Sequence, residues 1–517
     1  MIHSLFMRVC VLTLLCLAVP VSYGQDTYSR HGLAVTGFGA VGDGKTLCTG
    51  AIQNAIDYCW KKGGGEVVFT PGEYLTGTIV LKDNVTLNIQ AGATILASRD
   101  ENDYSSSNII SEGSGADPAL ICAKNARNIA ITGNGSIHGQ ARRYYEDLME
   151  VDPFISDITE NARQSGIEMK RYYKTEPVVR MVIFEECSGV SLTETSFIES
   201  CGWTLHFKWC DNVFINGITV LSSLEQGVNA DGLDIDGCRD MVVSDCIIKT
   251  GDDAIVLKTT NSSGESRPCE NISVTNCILT STSTALKLGT ESYNDFRHIS
   301  FSNCVIRNTN RGLSIVVRDG ATVEYVSFSN IVAECIRKPF FWWGNGDPIW
   351  LVVLKRSPES KVGTIRNVSF NNIMATGQGT SKIEGFQGTP LKNIELNNVH
   401  LTIRKEILND KRADDILSIH DVDGLKMNDM ELSWDTGGGT ENKWRNSLNI
   451  EHVRNINLDG LIVGETPGKE GIPFIKIDYS ENAFINNVIT FSDSRNILNV
   501  EKSHCKNIKT GRVQYPD

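Results

Sequence analysis

The stretch that decides the fold is "RNVSFNNIMA", residues 366–375. A polar pair leads into an aliphatic residue, polar and apolar residues then alternate, and asparagines precede a second apolar run. Alternation with period two marks a strand with one buried face, and Asn is a bend residue. The phrase recurs on both sides, as "DNVFINGITV", "RDMVVSDCII", "ENISVTNCIL", "RHISFSNCVI", "EYVSFSNIVA" and "KNIELNNVHL". Its matching aliphatic positions are Val213, Met241, Ile272, Ile299, Val326, Val368 and Ile394. Their spacing is nearly even, apart from one longer step between Val326 and Val368. Repeats of roughly 20–50 residues that hold only short strands and bends predict a solenoid. Two-residue Asn-Gly hairpin turns are not the dominant pattern, which argues against a hairpin-built sandwich. The expected fold is all-β: a single-stranded right-handed parallel β-helix whose interior is lined by one aliphatic ladder per strand.

Working outward, "TGAIQNAIDYCWKKGGG" is the convincing amphipathic helix near the start. Ala51, Ile52, Ala55, Ile56 and Cys59 share a face, Thr49 is the expected N-cap, and Gly63 to Gly65 stop the helix. Such a helix would cap the open end of the solenoid. Before it, Arg8, the apolar run from Val9 to Val19 and the small residues near Gly24 read as a signal peptide over residues 1–24. The apolar run is too short to span a bilayer. The expectation is a secreted or periplasmic protein with one catalytic domain over residues 25–517 and no membrane span. The formal net charge is −13 with no basic run, so nucleic acid is not an expected partner. Thirteen cysteines follow the signal segment. Several occupy one place in the repeat, so buried packing is expected rather than a disulfide framework.

Residues 229–258, "NADGLDIDGCRDMVVSDCIIKTGDDAIVLK", hold two clusters of acids. The step from Asp231 to Asp252 is about one lap of such a solenoid. The two clusters should therefore stack on one face, with Gly251 bending the chain so that Asp252 and Asp253 both reach a groove. Stacked like charges are costly unless something uses them. Three uses are open: acid/base cleavage of a glycosidic bond, a calcium site, or plain bends. Asp234, Asp236, Asp240 and Asp245 are expected to be solvated or turn-forming.

"NADGLDID" followed by "GDDAIVLK" resembles the paired signatures of family 28 glycoside hydrolases, the polygalacturonase-like pectin-degrading enzymes. "GFGAVGDGKTLCTGAIQNAID", "GNGSIHGQ" and "GWTLHFKWCDNV" agree with it. The resemblance runs from about Gly37 to Asn330. It implies inverting hydrolysis of a pectic polysaccharide or oligosaccharide, of galacturonan or rhamnogalacturonan type, without a cofactor or metal. It makes Asp252 the general acid, and gives Asp231 and Asp253 the attacking water. Asn229 would position substrate or support Asp231, and Lys258 and Glu291 match family positions. Two landmarks are replaced: Thr284 stands where the family has histidine, and Ser314 and Val316 where it has two cations that hold a sugar carboxylate. Lys287, Arg311 or Arg318 could take over that binding, and His206 reads as a structural partner. The alternatives are a calcium-dependent pectate-lyase-like enzyme and a non-catalytic carbohydrate-binding solenoid.

The long interval between Val326 and Val368 contains "RKPFFWWGNGDPIW". Four consecutive aromatics cannot all face a core. Trp342 or Trp343 is therefore expected to wall a sugar subsite, making the enzyme exo-acting.

Overall fold

The computed structural model of the chain describes residues 32–105, 109, 118–148, 160, 162–167, 171–174, 178–262, 264–338, 344–493 and 496–514. The expected signal segment and the pair Trp342 and Trp343 lie outside them.

The aliphatic ladder forms as the repeat demands. Val213 pairs with Met241, Met241 with Ile272, Ile272 with Ile299, Ile299 with Val326, Val326 with Val368, and Val368 with Ile394, all in parallel register. Each is at most 2% exposed. The long interval between Val326 and Val368 does not shift the register, because its excess leaves between strands. Two positions further along the phrase, the rings of Phe301, Phe328 and Phe370 stack at 5.0 Å per step. Among the described residues 37 strands join one sheet, wound as a right-handed parallel β-helix. A separate antiparallel pair, Tyr145–Leu148 with Arg171–Lys174, stands off it. No described helix is long and apolar enough to cross a membrane.

Helix α1, Thr49–Lys61, buries Ile52, Ala55, Ile56 and Cys59 against the first coils, while Ala51 is partly buried. Its N-cap is Cys48 rather than Thr49. The Thr49 hydroxyl instead accepts the Gly77 N–H at 2.8 Å, tying the helix to the solenoid wall. Gly63 to Gly65 follow with positive φ and end the helix as expected. All thirteen described cysteines are unbridged, and twelve are buried. Cys210 shows their packing role: its backbone N–H meets Cys238 Sγ at 3.3 Å on the next coil, and burial pushes its thiol well above the ordinary range.

One family of strands makes the floor of a long groove. In chain order these are β1 (Arg180–Glu185), β2 (Leu205–Lys208), β3 (Leu233–Asp236), β4 (Ile255–Thr259), β5 (Thr284–Ser292), β6 (Arg311–Val317), β7 (Asp347–Val353) and β8 (Ser381–Glu384). Each pairs with the next. Along them, Leu and Ile at alternate positions enter the core and the intervening residues face the groove. The bends that enter these strands carry the acid clusters.

Candidate active site

Leu233 of β3 pairs with Ile255 of β4, and the Gly232 N–H donates to the Asp253 carbonyl at 2.9 Å. The local lap therefore runs from Asp231 to Asp253, and these two stand level. The sequence spacing suggests a lap that ends at Asp252, one residue too short. Asp252 instead occupies the bend just before. That bend needs Gly251, because a Cβ there would lie 2.2 Å from the Ser223 carbonyl oxygen and 2.6 Å from Gly227 Cα. Asp231, Asp252 and Asp253 are all buried, and one oxygen from each lies within 4.8 Å of the others.

Their surroundings differ. Asp253 accepts from Ser283 Oγ at 2.7 Å and from the Thr284 N–H at 3.1 Å on one oxygen, and from Lys287 Nζ at 2.6 Å on the other. Burial alone would raise its pKa, but Lys287, then Lys258, and these hydrogen bonds hold it below the usual carboxylate value. Among the described residues Asp252 accepts from backbone N–H groups, those of Asn229 at 3.1 Å and Asp253 at 2.9 Å. Burial, with the charges of Asp231 and Asp253, pushes it well above the usual value. The surroundings thus favour the protonated form of Asp252 beside the ionised form of Asp253.

Lys258 lies beneath this cluster. Its Nζ is 3.5 Å from Asp231, 3.0 Å from Asp234 and 3.9 Å from Glu291, and sits 3.6 Å from the centre of the Trp203 ring. At 5% exposure it compensates charge from below. Asp234 and Asp236, expected to be solvated, are fully buried. Asp234 faces Lys258, while Asp236 accepts from the Thr260 N–H and Oγ1 and lies 3.4 Å from His206 Nε2. His206 is thereby a structural partner, its ring edge-on to Trp203. The two outer acids behave as bends: Asp240 and Asp245 have positive φ and accept from Asn271 and Asn276.

Glu291 joins the cluster through Lys258 and Arg356; burial would raise its pKa, but these cations and Lys287 hold it at about 2. Asn229 touches Asp252 through its backbone N–H, from a left-handed conformation with φ 54°. Arg318 is buried just past the end of β6, its backbone N–H donating to Ser292 Oγ. Arg311 is bound to Asp347 at 2.5 Å. Sequence reading missed Trp203, Asp234, Ser283 and Trp350. Only Trp350 carried a signal: in "PIWLVV" it holds an outward position between Ile349 and Leu351.

Family 28 of the glycosyl hydrolases matches residues 70–418, and the chain belongs to that family. A probable polygalacturonase of Vitis vinifera is 29% identical over 250 residues, 46% of this chain and 46% of that protein. An exo-poly-alpha-D-galacturonosidase of Dickeya chrysanthemi is 26% identical over 257 residues, 43% of this chain and 41% of that protein. The chain thus spans about half the length of the curated relatives it matches. Among solved structures, an exopolygalacturonase from Thermotoga maritima has a TM-score of 0.60 at 23% identity, covering 79% of this chain and 93% of that one. A family 28 exopolygalacturonase of Yersinia enterocolitica has a TM-score of 0.62 at 22% identity, covering 83% and 78%. Both likenesses are of fold.

Proposed function

We propose that the protein is an exported hydrolase that cleaves pectic polysaccharide or oligosaccharide from chain ends, with inversion. The observation that carries this is the gathering of three buried carboxyls within 4.8 Å, two of which, Asp252 and Asp253, are pushed in opposite directions by their surroundings. Opposed pKa shifts in neighbouring acids mark an acid and a base. Asp252, held protonated, donates its proton to the glycosidic oxygen as the bond to the anomeric carbon breaks. Asp231 and Asp253 hold a water and take its proton as its oxygen attacks that carbon.

The carboxyls are nearer than the ~6.5–9.5 Å usual for inverting enzymes. Inversion is proposed nevertheless, because Asp253 already accepts three hydrogen bonds. Those bonds commit most of its lone pairs and make it a poor covalent nucleophile. Proton NMR of the first-formed sugar decides, and a retained anomer refutes inversion. The same oxygens could ligand a hard cation, as the lyase-like alternative requires. Lys258 and Lys287 already supply positive charge there, which disfavours it; activity that survives excess chelator removes it.

End-wise action draws on the printed names of the relatives and on the aromatic run of the sequence that contains Trp342 and Trp343. Export draws on the signal-like segment that ends at Gly24, with residues 25–517 as one catalytic domain. A time course on a long pectic chain tests the mode. Steady release of one small product supports it, and rapid viscosity loss with mixed oligomers overturns it.

A further inference from the structure

One column of outward-facing side chains changes character partway along the solenoid. It runs over short strands such as Ile247–Thr250, Ile278–Ser281 and Val305–Thr309, away from the groove floor. The first coils place Thr94, Ser136, Ser196 and Thr219 in it, each paired with the next. The following coils place Ile247, Ile278, Val305, Val332 and Met374 there, in unbroken parallel register. All of these are between 39% and 59% exposed. Single exposed aliphatics are ordinary, but a row of them touching along about 20 Å makes a continuous apolar strip. Strand propensity does not demand it, since Thr serves the same column earlier. Nor are these coils apolar all round. On the neighbouring face they carry Ser273, Ser300, Ser327 and Ser369.

Charge beside the strip selects what covers it. Arg307 stands two residues beyond Val305 and Glu334 two beyond Val332, so both flank the strip on the same side. Arg307 is exposed and, among the described residues, has no ion pair. Glu334 is partly exposed and lies 3.2 Å from Arg404. A second copy, turned about a two-fold axis that runs along the strands midway between Val305 and Val332, meets the first with its coils in reverse order. Val305 then lies against the partner's Val332, Ile278 against the partner's Met374, and Arg307 against the partner's Glu334, each contact made twice. An axis placed on Val305 would instead oppose Arg307 to its own copy. An axis along the solenoid would carry the two charges to opposite sides of the strip. Six pairings lead back from Val305 to Thr94, and six lead on from Val332 to Gln514. The axis therefore falls at the middle of the column. Two copies can overlap along all of it, which leaves room for the about 800 Å² per partner of a stable interface.

We propose that the protein is an isologous homodimer, its two solenoids antiparallel and joined through the strip from Ile247 to Met374. The contact takes the apolar strip out of water and closes two ion pairs between Arg307 and the partner's Glu334. The groove-floor strands lie on another face, so both candidate active sites stay open in the pair. The dimer is independent of the hydrolase reading.

Sedimentation velocity of the native protein from about 1 to 100 µM tests this, with a dimer expected towards the upper end. Val332→Glu should raise the dimer dissociation constant about tenfold or more. Phe484→Glu, at an exposed position of the neighbouring face, should leave it unchanged. Arg307→Glu and Glu334→Arg should each weaken the dimer, and the two together should restore it. Thermal melts confirm that every variant folds. Register is read by cross-linking in a Cys505→Ser background. Chains with Ile278→Cys mixed with chains with Met374→Cys should give a disulfide-linked dimer under mild oxidation, and neither variant should do so alone. A monomer throughout the concentration range overturns the proposal. So do a dimer indifferent to Val332→Glu, a charge swap that fails to restore association, and cross-linking of Ile278→Cys to itself. A monomer whose retention on insoluble pectin falls with Val332→Glu would show a polysaccharide as the occupant instead.

Discussion

Two columns of short polar side chains climb this solenoid, and they obey different physics. On an outer turn Asn303, Asn330, Asn372 and Asn398 stack one coil above another. Each amide donates to the one before it, at 3.1, 2.9 and 2.9 Å. All four have φ between 51° and 55°, the left-handed conformation that Asn tolerates. An amide is donor and acceptor at once, so a column of them is self-satisfying in open water. In the groove the column is Asp231 and Asp253, with Asp252 at the bend. Carboxylates only accept, so stacking them demands outside donors and cations. Lys258, Lys287, Ser283 and three backbone N–H groups supply these. The outer column satisfies itself; in the inner one burial and crowding favour a proton on Asp252.

The contrast breaks most sharply at Asp252. Asp252→Asn should lower turnover by about 10³-fold or more, since an amide cannot donate the required proton. Asp240→Asn, on the outer turn, should leave turnover within about twofold. Comparable losses in the two reducing-end assays would erase the distinction.

Lys258→Met comes next. It leaves Asp231, Asp234 and Glu291 facing one another without their central cation. A loss of about 3–5 kcal/mol in denaturant unfolding is expected, the usual cost of breaking a buried ion pair. The acidic limb of the pH–activity profile should also move to higher pH, because Asp253 loses one of the cations that hold it below the usual carboxylate value. An unchanged limb would show that Lys258 does not set Asp253.

A pH series separates the opposed carboxyls. The folded pKa of Asp252 is raised from 3.8, so the stability it contributes is full below 3.8 and is lost as pH rises through the folded value. Asp252→Asn removes that loss, so its melting temperature should gain on the native protein as pH climbs above about 4. Glu291 is the reverse. Its pKa falls from 4.5 to about 2, so its contribution is present above 4.5 and is lost as pH drops towards 2. Glu291→Gln should therefore destabilise at neutral pH and converge with the native protein near pH 2. Parallel melting curves would contradict both signs.

The smallest effect belongs to the amide column. Asn372→Ala removes two amide bonds and places Ala in a left-handed conformation, for an expected cost of about 1–2 kcal/mol. Asn372→Gly restores the backbone preference and should recover part of that. If the Gly variant is no better than Ala, the cost lies in the amide bonds alone.

The repeat was legible because period-two alternation and Asn bends are local. Seven aliphatic positions read from the chain became one unbroken ladder, including the long step from Val326 to Val368. Helix α1 was legible for the same reason, although its N-cap moved by one residue. The three aspartates were legible because both clusters lie within one lap. Residues acting from other coils were less so. Trp203 and Lys258 meet from separate coils, and no pattern along the chain links an indole to a lysine on a different rung.

The sequence by itself determined the lap to within a residue, the inward face, the bends and the gathering of Asp231, Asp252 and Asp253. Each follows from backbone geometry and from the fixed choice of side chains. Only the tertiary structure decided that Asp231 stands level with Asp253 rather than Asp252. It also put Asp234 and Asp236 inside, drew Lys258 under the carboxyls, and shifted Asp252 towards its protonated form and Asp253 towards its ionised one. The physical reason is that ionisation depends on distance and burial, and both are set by which coils lie one above the other.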